Sequence, residues 1–74
     1  MIKKGDILTL DDNNEYTIVD MFSLNNNVYV YLVDINNVVN VIYGKVENDE
    51  IVDINNSEEL DLVIKTVNDN LHKD

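Results

Sequence analysis

The sequence predicts an α+β fold: a five-stranded antiparallel meander, strongly coiled or partly closed, followed by one C-terminal amphipathic helix. Three observations predict it. Short β-branched and aromatic runs alternate with clusters of Asn and Asp; the third run is apolar at odd and even positions alike; and the last segment changes from strand spacing to helical spacing.

The first run, Gly5-Asp6-Ile7-Leu8-Thr9-Leu10, is closed by Asp11-Asp12-Asn13-Asn14-Glu15. The second, Tyr16 to Phe22, is closed by Asn25-Asn26-Asn27, and the third, Val28-Tyr29-Val30-Tyr31-Leu32-Val33, by Asp34-Ile35-Asn36-Asn37. A fourth spans Val38 to Val46 and ends at Glu47-Asn48-Asp49-Glu50, before a short fifth, Ile51-Val52-Asp53-Ile54. Asn and Asp suit these closures because their side chains bond nearby backbone and tolerate the left-handed region. With no Pro and two Gly, they must supply nearly all the turn chemistry. The expected boundaries are strands at about 5–10, 16–22, 28–35, 38–46 and 51–54 and a helix at about 57–72, in a single small domain covering 1–74.

In the last segment Leu60, Val63, Ile64, Val67 and Leu71 fall on one helical face. Asn56 with Glu59 three residues later reads as a capping box; Glu58, Glu59 and Asp61 oppose the positive end of the helix dipole, with His72 and Lys73 at the other end. A helix of about four turns is marginal alone, so its apolar stripe must dock on the sheet.

That docking leaves the third strand unexplained. Val28, Val30 and Leu32 point one way and Tyr29, Tyr31 and Val33 the other, so both of its faces need cover. The fourth strand repeats the pattern, with Val39, Val41 and Tyr43 opposite Val38, Asn40 and Ile42. One helix shields one face. Sheet curvature is the simplest cover for the second, ahead of a dimer partner or a ligand. The tyrosines then sit at the edges of the core with wet hydroxyls, or else form an aromatic binding patch.

Charge bounds the partners. Fifteen Asp and Glu against five Lys and no Arg give a formal net charge of -10, which repels nucleic acid and anionic membranes and attracts basic surfaces. No apolar run approaches membrane-spanning length. The absence of Cys and of a signal-peptide pattern leads us to expect a cytoplasmic protein. At 45% hydrophobic residues the chain is ordinary for a folded domain, so its charge does not imply disorder.

Catalytic chemistry finds little support. The single His, His72, lies at the end of the helix, and the carboxylates cluster in turns rather than in a pattern that would separate their pKa values. Asp11, Asn13 and Glu15 match the start of a calcium loop, but the turn Gly and the later bidentate Glu are missing. Gly5 and Gly44 stand apart, so there is no phosphate-cradling loop. No cofactor and no metal are expected.

The order of acidic turn, Glu15-Tyr16, hydrophobic strand, tyrosine-rich strand and Ser57-Glu58-Glu59-Leu60 resembles the YrzB-like (DUF1292) family of small acidic Firmicutes proteins. The resemblance covers nearly the whole chain and is one of pattern. It departs between the third and fourth strands, where Asn stands in place of longer acidic runs. The family has no assigned activity, so the resemblance implies a fold and no functional residue.

Two functions follow as expectations. The first is a non-catalytic acidic module that binds a basic or mixed protein surface through Asp11, Asp12, Glu15, Glu47, Asp49 and Glu50 around an exposed face carrying Tyr29 and Tyr31. The second is an anti-defence inhibitor of the phage type, its carboxylates imitating nucleic acid on a nuclease or another nucleic-acid enzyme. Neither needs direct nucleic-acid or membrane contact. A monomer is favoured over a homodimer, because a coiled sheet can bury both sides of its central strands within one chain.

Overall fold

A computed structural model describes residues 2–72. It contains β1 (Ile7–Thr9), β2 (Glu15–Leu24), β3 (Asn27–Asp34), β4 (Asn37–Glu47), β5 (Glu50–Asp53) and α1 (Ser57–Leu71). The strands pair antiparallel in chain order, as a meander, and the sheet curls into a half-barrel followed by the helix.

The turns explain the Asn and Asp clusters. Among the described residues, all five non-Gly positions with positive φ are Asn or Asp: Asn13, Asn25, Asn26, Asn48 and Asp49. Asn25-Asn26 joins the Leu24–Asn27 pair and Asn48-Asp49 joins the Glu47–Glu50 pair, with both central residues left-handed in each case. That is the type I′ geometry whose twist matches the flanking strands. The β1–β2 connection is a three-residue loop: the Asn13 amide donates to the Leu10 carbonyl, and the Leu10 amide to that of Asn14. Ahead of β1, Gly5 at φ 94° is the third residue of a turn closed from the Asp6 amide to the Lys3 carbonyl. Its own amide donates to Ile18, whose amide returns to Asp6, a glycine bulge that starts the β1–β2 ladder.

A second irregularity governs how the core is divided. Ile18 pairs with Leu32 but Asp20 pairs with Tyr31, so Val19 is an extra residue in β2. The bulge reverses which residues face inward. Tyr16 and Ile18 lie on one face before it; after it Met21 joins that face, while Asp20 and Phe22 turn to the other. One core cluster holds Tyr16, Ile18, Val30 and Leu32, with Leu8, Ile42, Val46 and Ile51 packed around them. The other joins Tyr29 to Val63 and Val67 of α1, with Phe22, Leu24, Tyr31, Tyr43 and Ile54 at its margin. Both faces of β3 are thus covered, one by the curl and one by the helix.

Several expectations need correction. The fourth strand was expected to be apolar on both sides, yet Val38 and Val39 are 74% and 81% exposed. The cause is register: Val33 pairs with Val41 but Asp34 with Asn37, which pushes three residues of β4 out of the ladder. Leu71, expected on the docked stripe, is 48% exposed. The Asn56 side chain does cap α1, accepting from the Glu59 amide at 2.9 Å, but the Glu59 carboxylate reaches across to Tyr29 and Lys45. Lys73 lies outside the described residues.

Candidate functional site

The curl brings the first and last strands toward one another without pairing them, leaving a cleft of about 590 Å³ along the seam. Its apolar lining is Ile2, Leu8, Leu10, Ile42 and Ile51. All five border the inner core cluster, so the cleft is the open mouth of the half-barrel. Its acidic lining is Asp11 and Asp12 from the β1–β2 loop, and Asp49, Glu50 and Asp53 from the β4–β5 turn and β5. In an antiparallel meander those two loops lie at opposite ends of the sheet, so a cleft that touches both runs the length of the seam. Among the described residues, no Lys or His lines it.

Four expected surface residues, Asp11, Asp12, Asp49 and Glu50, are therefore brought together on one cleft by the tertiary fold. The remaining four are elsewhere. Glu15 opens β2 opposite Thr9, outside the cleft lining. Glu47 lies 3.6 Å from Lys45. Tyr29 is only 2% exposed, packed under Val63 and Val67, so it cannot serve as the surface anchor expected of it. Tyr31 is half-buried and stacks on Tyr43 with ring centroids 5.0 Å apart.

Two polar networks account for part of the charge. In the first, the Tyr16 hydroxyl donates to Asp12 Oδ2 at 2.8 Å, and Asn40 Nδ2 donates both to that hydroxyl at 3.0 Å and to Asp34 Oδ2 at 3.2 Å. The Asn14 amide adds a bond to Asp12 Oδ1 at 2.9 Å, and the Asn36 amide one to Asp34 Oδ1 at 2.8 Å. This chain ties the β1–β2 loop to the β3–β4 turn. The Asn14 amide, followed by the Tyr16 hydroxyl, holds the Asp12 carboxyl below the usual carboxylate range. Tyr16 is in turn raised by its bond to Asp12 and by burial.

The second network anchors the helix. The Tyr29 hydroxyl donates to Glu59 Oε2, which also lies 3.5 Å from Lys45 Nζ. Burial and then the Glu59 bond raise the Tyr29 pKa. For Lys45 burial works against the charge, but the Glu59 and Glu47 carboxylates outweigh it and raise the pKa. Asp20, buried within β2, accepts from Asn70 Nδ2 near the other end of α1 at 3.1 Å.

Once these networks are assigned, Asp11, Asp49, Glu50 and Asp53 are left on the cleft without an ion pair among the described residues. Asp53 had no place in the expected set. The signal for it is alternation: it shares the face of Ile51 in a strand whose inward positions should be apolar. Among the described residues no three His, Asp or Glu side chains are grouped so as to hold a metal ion. No helix among them is long and apolar enough to cross a membrane.

No protein-family model, curated protein or solved structure matches the chain.

Proposed function

We propose that this protein is a non-catalytic interaction module whose seam cleft binds a basic protein partner. One observation carries the reading: carboxylates from two loops far apart in sequence line a single cleft with an apolar floor, and among the described residues no cation lines it. Like charges gathered in this way repel one another, so they oppose the closure of the seam. A cationic partner relieves that repulsion and covers the apolar floor at the same time. Nucleic-acid mimicry is less well supported by the same geometry. Asp12 and Glu47 are engaged internally, and Asp11, Asp49, Glu50 and Asp53 share their cleft with an apolar floor that a phosphate-binding surface would not cover.

The test is selection of peptides from a random heptapeptide display library on the immobilised full-length chain. The counter-bait is the variant Asp11→Asn/Asp49→Asn/Glu50→Gln/Asp53→Asn. Recovered peptides should be rich in Lys and Arg, should be lost at high salt, and should fail on the variant. Peptides recovered equally well by both proteins would refute the reading.

A further inference from the structure

Resting on that reading, we infer that the partner enters the seam as an extended strand, with apolar residues facing inward and Lys or Arg at both ends, completing a six-stranded antiparallel barrel. The argument begins with strand direction. In an antiparallel meander of five, β1 and β5 run the same way. They cannot pair antiparallel with each other, but a sixth strand running opposite to both pairs antiparallel with each.

The backbone groups for such a strand are in place. Along β1, the Gly5/Asp6–Ile18 and Leu10–Asn14 bonds set the alternation, so Leu8 bonds to β2 while Ile7 and Thr9 turn their N–H and C=O groups to the free edge. Along β5, the two-residue turn makes Glu47–Glu50 the bonded pair, so Glu50 and Val52 face β4 while Ile51 and Asp53 face outward. Neither short edge carries Pro or Lys; the charges that guard β5, Glu50 and Asp53, are ones that a basic strand neutralises, and Ile7 on β1 is 58% exposed. Inward side chains of the added strand would meet Leu8, Ile42 and Ile51 on the cleft floor.

Charge selects the occupant. A second copy of this chain would bring its own acidic edge against Asp11, Asp49 and Glu50, with a net charge of -10 on each molecule. A strand with basic ends meets opposite charge at both ends of the seam. About six or seven residues suffice, since an extended strand rises about 3.3 Å per residue and the molecule spans 31 × 29 × 23 Å.

The probe is the blocked peptide Lys-Val-Thr-Val-Thr-Val-Lys, titrated into isotope-labelled full-length protein and followed by amide shifts and hydrogen exchange. Protection should appear at the amides of Ile7, Thr9, Ile51 and Asp53. Two versions N-methylated at alternate amides, one blocking each edge, should bind about tenfold more weakly, because each loses its hydrogen bonds to one strand. Binding indifferent to N-methylation would overturn strand addition and leave the basic-partner reading standing. Failure of the unmodified peptide to bind would overturn the strand proposal, with the display selection still deciding that reading by itself. Dimerisation seen by light scattering, with the same amides protected, would overturn it in favour of a second copy.

Discussion

Gly44 decides how closely β5 can fold over β4, and substituting Ala there measures that closeness. The residue pairs with Val30 on one side and Asp53 on the other, on the inward face of the sheet. Its φ is not positive, so any L-residue can adopt the backbone and the constraint is space. A Cβ at this position would lie 2.7 Å from Ile51 Cγ2 and 3.4 Å from the Val52 carbonyl oxygen. Carbon atoms in contact normally sit about 3.5–4.0 Å apart, so Ile51 must move by roughly 1 Å or change rotamer, and β-branched side chains do neither freely. Overpacking of this kind costs about 1–3 kcal/mol, offset by about 0.4–1 kcal/mol from the stiffer unfolded chain. Gly44→Ala should therefore destabilise by about 1–2 kcal/mol in urea denaturation followed by circular dichroism. The mechanism predicts coupling as well. Ile51→Ala removes the clashing methyl, so in the Gly44→Ala background its cost should shrink by about 1–2 kcal/mol. A cycle that is additive within about 0.5 kcal/mol would refute the claim that these atoms set the curl.

Tyr29→Ala should act on stability rather than on binding: it removes a buried aromatic from under the helix, at about 3–5 kcal/mol. A chain of 74 residues has about 4–11 kcal/mol in all, so the variant should be close to unfolding at 25 °C by far-ultraviolet circular dichroism. Tyr16, Tyr29 and Tyr43 all hold their protons more tightly when folded. Their contribution is fully present below the unfolded value near pH 10 and is lost as pH rises through the folded values, so thermal melts should fall above about pH 10. Phenolate absorbance should show these three ionising above the ordinary range, Tyr43 through burial and its neighbour Tyr31, and a normal titration for both Tyr16 and Tyr29 would contradict the hydroxyl networks. Asn56→Ala should cost about 0.5–2 kcal/mol in chemical denaturation by leaving the Glu59 amide without its cap.

How much of this was legible differs by scale. The turn sites were readable because left-handed backbone is a local demand: Asn13, Asn25, Asn26, Asn48 and Asp49 all lie in the clusters that punctuate the strand runs. Strand limits moved by a few residues, and β2 and β4 are each longer than expected. The bulge at Val19 was missed, although Asp20 in the middle of an apolar run was a sign of it: a carboxylate there either breaks the register or finds a partner, and here it does both. Asn40, polar within the fourth run, was a similar sign of the Tyr16 and Asp34 network.

By itself the sequence determined the order of elements, the turn chemistry, the helix cap and the acidic character, because each depends on residues within a few positions of one another. It also required both faces of β3 to be covered. The tertiary structure alone decided which cover each face received, that Tyr29 lies beneath the helix, and that Asp11 and Asp12 share a cleft with Asp49 and Glu50. Those outcomes depend on how far the sheet curls. The curl follows from strand twist and the bulge at Val19, with Gly44 leaving the space that Ile51 fills, and it acts between residues that no local pattern connects.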